Sequence, residues 1–159
     1  MDAPDLAIRY VAYAIMLAVV AAGLFGLLES EDDAGATGVT GEAEIEYPAV
    51  TRQGLKPTLV VDVVNRSARP REPALVLSSD YLEGLQLGAV TPDPADAAGV
   101  GDGLVEYRFA PLGPGERLRA VLSFSIDQQA PGVRFETPVR VALGDERLLD
   151  DDVSTLVLP

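Results

Sequence analysis

The sequence predicts a single N-terminal transmembrane helix followed by an all-β ectodomain, an antiparallel β-sandwich of seven or eight short strands. Two observations carry this. Residues 11–28 run for 18 positions with no charge, amide or hydroxyl other than that of Tyr13. Beyond them the apolar residues recur with period two, in segments spaced roughly ten residues apart and divided by Pro/Gly turns, which is the pattern of strands packed on one face.

As a helix, that apolar run rises roughly 27 Å, close to the hydrocarbon thickness of a bilayer. The assignment is a short N-terminus (1–9) and a span (10–28), with the helix able to begin as early as residue 4. Arg9 lies one turn from the boundary, where a long side chain reaches the interface, and Tyr10 and Tyr13 fit an aromatic belt. A buried soluble helix would be shorter. A cleavable signal needs a basic start and a small-x-small cleavage site, whereas "MDAPDLAIR" carries two aspartates and "GLFGLLES" spaces its small residues poorly. An uncleaved signal-anchor fits better. Arg9 precedes the span and no Lys or Arg follows it until Arg52, so the N-terminus is expected to be cytoplasmic and the domain extracytoplasmic. Ala14, Ala18, Ala22 and Gly26 recur every four residues, a small-residue face that would allow another helix to approach closely; an alanine-rich composition alone could also produce the spacing.

After the span, "ESEDDAGATGVTG" is small, polar and without period, and residues 29–41 are expected to be a flexible acidic linker. The sandwich then occupies 42–159. "EAEIEYP" alternates, with Ala43, Ile45 and Tyr47 opposite Glu42, Glu44 and Glu46. "PTLVVDVVNRS" is a β-branched strand ending in a polar turn, "ALVLSS" is a short strand, and "LEGLQLG" is expected to be another. Residues 89–103 show no pattern. "LVEYRFA" sets Val105, Tyr107 and Phe109 inward, and "PLGPGE" is a tight reversal. "RLRAVLSFSI" sends Leu118, Ala120, Leu122, Phe124 and Ile126 to the core, and "RFETPVRVAL" sends Val139, Val141 and Leu143 there. "VSTLVLP" is the last strand.

Composition excludes several functions. The net charge is −13, and no basic patch offers itself to phosphates, so nucleic acid is not an expected partner. The sequence has no Cys and no His, which removes disulfides, zinc, blue-copper or haem sites of the usual ligands, and imidazole-based catalytic triads. No cofactor is expected. Eleven of the twelve basic residues are Arg, and only Lys56 is Lys.

The strand ending in Asn65-x-Ser67, the turn carrying Leu112, Pro114, Gly115 and Glu116, and the late strand with Val139 and Val141 resemble bacterial and archaeal immunoglobulin-like modules of the CARDB or NEW3 type. The resemblance covers about 90 residues and implies an immunoglobulin-like fold used as a stalk, spacer or binding accessory on surface proteins. It supplies no active site.

Three candidate sites remain. "NRS" makes Asn65 an N-glycosylation acceptor in an expected exposed turn. Asp93, Asp96 and Asp102, and separately Asp150, Asp151 and Asp152, are oxygen-rich groups of the kind calcium takes, though neither has EF-hand spacing and solvated loops explain both. Paired carboxylates for hydrolysis cannot be singled out in so acidic a chain. The expected function is therefore that of a non-enzymatic accessory subunit, packed by its helix against another membrane protein and touching it with the ectodomain. The alternative is a free-standing surface module for a cell-wall or extracellular ligand, with a carboxylate hydrolase as a remote third.

Overall fold

The computed structural model describes residues 30–126 and 132–159. The expected span at 10–28 and the stripe Ala14, Ala18, Ala22 and Gly26 expected on it lie outside the described residues. Among the described residues no helix is long and apolar enough to cross a membrane.

Residues Glu31–Pro159 form one compact unit, an all-β sandwich. Its strands are β1 (Ser30–Thr37), β2 (Gly41–Arg52), β3 (Thr58–Asn65), β4 (Pro73–Ser78), β5 (Leu87–Thr91), β6 (Asp96–Gly99), β7 (Leu104–Arg108), β8 (Arg117–Phe124), β9 (Val133–Leu143) and β10 (Glu146–Leu158). A short helix, α1 (Ser79–Gly84), follows β4. Hydrogen bonding runs β5-β8-β3-β2-β10-β9-β4-β7-β6, with β1 added on β2.

One strand joins the two layers. The first half of β2 pairs antiparallel with β3, the last pair being Glu46 with Val60. Its second half pairs parallel with β10, starting at Val50 opposite Leu156. Pro48 sits between the two ladders, where a residue without an N–H costs no strand pairing. The front layer is thus β5-β8-β3-β2, and the back layer is β10-β9-β4-β7-β6.

The expected inward residues of β8 (Leu118, Ala120, Leu122 and Phe124), and Ile126 just beyond it, are all buried, as are Val139, Val141 and Leu143 of β9. They meet Ile45, Val61 and Val63 from the front, with Leu75 and Leu77 from the back. Tyr81 of α1 plugs the core and packs edge-on against Phe124, with ring centroids 5.9 Å apart.

The structure corrects three expectations. The expected linker, 29–41, contains a strand: β1 pairs with β2. Its own residues carry little β signal, so the pairing is decided by the free edge of β2 rather than by propensity. The segment "LEGLQLG" is divided between α1 and β5. Ser78 caps the helix, its Oγ accepting from Tyr81 N at 3.2 Å, and the turn lets Tyr81, Leu82 and Leu85 all face inward, which a strand could not do. The patternless 89–103 contains the end of β5 and all of β6, an edge strand exposed throughout. These elements raise the strand number above the seven or eight expected.

Candidate functional site

The triplet at Asn65 does not form an exposed acceptor. Asn65 is fully buried. Its Nδ2 donates to the carbonyls of Arg69 (2.8 Å), Leu112 (2.8 Å) and Gly113 (3.2 Å). Its Oδ1 accepts from Ser67 N at 2.9 Å and Ser67 Oγ at 2.7 Å. Its backbone N donates to Glu116 O, and its O accepts from Gly115 N. The nitrogen to which a glycan would attach is therefore enclosed and engaged in the folded domain. An asparagine matches this place because one amide supplies donor and acceptor together, tying the loop after β3 to the turn before β8. That turn places Pro114 and Gly115 in the middle, Gly115 at φ +78°, with Glu116 N donating to Gly113 O at 3.1 Å. Asn65, Ser67, Leu112, Gly115 and Glu116, five of the residues carrying the sequence resemblance, thus meet in one hydrogen-bond cluster.

The acidic groups do not converge. Asp93, Asp96 and Asp102 are exposed, Asp96 lying in β6 opposite Arg108 and Asp102 in the turn into β7 at φ +50°. Asp150 lies between two guanidinium groups, accepting from Arg140 Nε at 3.2 Å and Arg147 Nη1 at 2.5 Å. Asp151 Oδ1 accepts from Asp152 N. Among the described residues no three His, Cys, Asp or Glu side chains are placed to hold a metal ion.

The outer face of the front layer is a lattice of opposite charges. Arg119 pairs with Asp62 at 2.8 Å and Glu46 at 3.8 Å, and Arg66 with Glu42 at 2.9 Å. The Arg66 hydrogen bond holds the Glu42 carboxyl below the usual carboxylate range. Exposed pairs of this kind add little stability but make the surface polar.

The outer face of the back layer differs. Ladder registers place Arg108, Ala74 and Ala142 in one row, and Ala98, Glu106, Val76, Arg140 and Asp150 in the next. Pro138 and Asp152 continue below. Ala74, Val76 and Ala142 are half-buried and adjoin one another, so the patch they make is small, shallow and weakly apolar. Charges bound these three: Arg108 bonded to Glu106 on β7, Arg140 on β9 and Arg147 on β10, with Arg140 standing between Ala142 and Pro138. An apolar centre inside a charged rim is the general anatomy of a protein–protein contact surface. Sequence reasoning passed over it because "PALVLS" and "PVRVAL" read as strands whose inward residues attracted attention; the signal was that their outward residues are also mostly small and apolar.

Between the layers, Tyr81 Oη and Thr155 Oγ1 share a hydrogen bond at 2.9 Å. Burial pushes the Tyr81 hydroxyl up to about 12, against the smaller opposing effect of that bond.

No family model matches the sequence, and no curated protein matches it. Solved structures align with it. The cohesin module from Clostridium perfringens family 33 glycoside hydrolase aligns at a TM-score of 0.52 and 13% identity, over 76% of this chain and 98% of that module. The third cohesin of ScaC from Acetivibrio cellulolyticus, solved in complex with a ScaB dockerin, aligns at 0.46 and 10% identity, over 70% of this chain and 95% of the cohesin. A CARDB domain from Pyrococcus furiosus, solved with di-metal ions, aligns at 0.39 and 12% identity, over 82% of this chain and 94% of the domain. Residues 31–159 form a β-sandwich with the fold of the Clostridium perfringens cohesin module.

Proposed function

We propose that the chain is a membrane-anchored, non-enzymatic interaction protein, oriented with its N-terminus cytoplasmic and its sandwich outside, and that the sandwich grips a protein partner with the outer face of β4, β7 and β9. The observation that carries the reading is the pairing of a small apolar patch at Ala74, Val76 and Ala142 with the charges that bound it, Arg108, Glu106, Arg140 and Arg147. Such a face buries flat surface at little conformational cost, while the rim sets register. The front face, by contrast, is crossed by ion pairs, Arg119 with Asp62 and Glu46 and Arg66 with Glu42. The apolar run at 11–28 supports the anchor, and Ala14, Ala18, Ala22 and Gly26 supply a face through which the helix packs on a partner's span. The protein is then an accessory subunit.

A photo-crosslinking residue at Val76 or Ala142, in cells making the full-length protein, should yield a discrete adduct. The same residue at Ser123, on the front face, should not. Equal adducts from both faces, or none from Val76 and Ala142, would remove the assignment.

A further inference from the structure

β6 ends the back layer. Among the described residues it pairs with β7 alone, and every residue of it is exposed. Just past the strand Val100 N donates to Leu104 O, and residues that bond to the neighbour alternate along an antiparallel ladder. Asp96 and Ala98 therefore bond to β7, while the N–H and C=O groups of Ala97 and Gly99 point to the free edge.

The same two residues have the inward phase. Ala97 stands opposite Tyr107 and Gly99 opposite Val105, which in turn stand opposite the buried Leu75 and Leu77. Ala97 and Gly99 are too small to close the side of the sandwich. A cleft of about 380 Å³ opens there, its apolar lining supplied by Leu82 of α1, Leu87 of β5 and Val105 of β7. The backbone does not demand this glycine: the φ of Gly99 is not positive, and a Cβ on it would meet only Leu104 O, at 3.9 Å. Val100, 47% exposed, adds an apolar side chain at the end of the edge. Charge defines what fits. Asp93, Asp96 and Asp102 are exposed around β6, and Glu83 at the cleft, and none of the four makes an ion pair among the described residues. Arg108, opposite Asp96, is bonded to Glu106.

We propose that an extended segment of the partner protein adds to β6 as a further strand of the back layer. Its backbone bonds to Ala97 and Gly99, one aliphatic side chain enters the cleft over Val105 and Leu87, and its Lys or Arg residues meet Asp93, Asp96 and Asp102. Strand addition draws affinity from the backbone bonds and selectivity from the pocket. The inference rests on the protein-binding reading above and deepens it, since β6 follows β7 and the gripping face runs onto this edge.

The complex recovered from native membrane in mild detergent tests it. The amides of Ala97 and Gly99 should exchange with solvent on the order of tenfold more slowly in the complex than in the chain alone, while that of Ala98 changes little. Gly99→Leu fills the cleft from within the chain, and Ala97→Pro removes an edge donor that β7 does not use. Each should stay folded and recover on the order of tenfold less partner, as the loss of one buried anchor does. Asp93→Asn combined with Asp102→Asn should recover about threefold less. A partner lost with Val76→Asp but undiminished with both Gly99→Leu and Ala97→Pro would overturn the inference and leave the proposed function standing, as would a complex in which Ala97 and Gly99 gain no protection. Indifference to the double variant would overturn the basic chemistry assigned to the segment. Recovery of the native chain without a partner would overturn both the inference and the function it rests on.

Discussion

Replacing Asn65 by Ala removes the amide that joins two loops, and the cost can be worked bond by bond. The two Nδ2 hydrogens, shared among the carbonyls of Arg69, Leu112 and Gly113, disappear, and Ser67 N loses Oδ1 as its acceptor, three bonds in all, while Ser67 Oγ keeps Arg69 O. None of those carbonyls is left without a partner: Arg69 O still accepts from Ser67 Oγ, Leu112 O from Arg71 N, and Gly113 O from Glu116 N. The penalty is therefore near the net value of the bonds, about 1 kcal/mol each and about 3 kcal/mol together, not the larger cost of stranding three buried acceptors. For a domain of this size that corresponds to a melting temperature lower by roughly 10 °C. Asn65→Asp should be worse, by about 4 kcal/mol or more, because the isosteric carboxylate puts an oxygen where three carbonyls expect a donor. Thermal unfolding of the full-length protein and both variants, followed by far-UV circular dichroism, reads the difference. An Asn65→Ala shift under about 3 °C, or an Asp variant as stable as the native protein, would refute the reasoning.

Two further outcomes follow from the same structure. Gly115→Ala should cost about 1 kcal/mol, since φ is +78° and a Cβ there meets nothing within 4 Å, leaving backbone strain as the only penalty; denaturant titration measures it. The Tyr81 hydroxyl is raised from 10.0 to about 12, so its contribution is intact below pH 10 and is lost as pH rises towards 12; Tyr81→Phe should lower stability by about 1 kcal/mol at pH 7 and flatten the alkaline decline, seen in stability measured against pH.

The central strands were legible because each buries one face and exposes the other along its own length. Leu118 to Phe124 shows this best, every second residue reaching the core. β1, β6 and α1 were not legible because nothing within them decides their structure. β1 and β6 contain Ala, Gly and Asp and become strands only by adding to a neighbour's edge. α1 has six residues, too few for a helical period to show. At Asn65 a turn signal was read as exposure, when the amide's four-bond capacity is what lets such a turn be buried. The outer face of β4 and β9 was within reach: Ala74, Val76 and Ala142 stand in phase opposite the core residues, at positions where the front layer carries Glu and Arg.

Co-purification of the full-length protein in mild detergent from its native membrane, alongside the Val76→Asp variant, tests the central claim most directly. The account predicts a stoichiometric protein partner with the native chain and its loss with the variant, which stays folded, its melting temperature lowered only in so far as Asp replaces a half-buried strand Val opposite Glu106. Recovery of the native chain alone, or a partner retained undiminished by Val76→Asp, would contradict it.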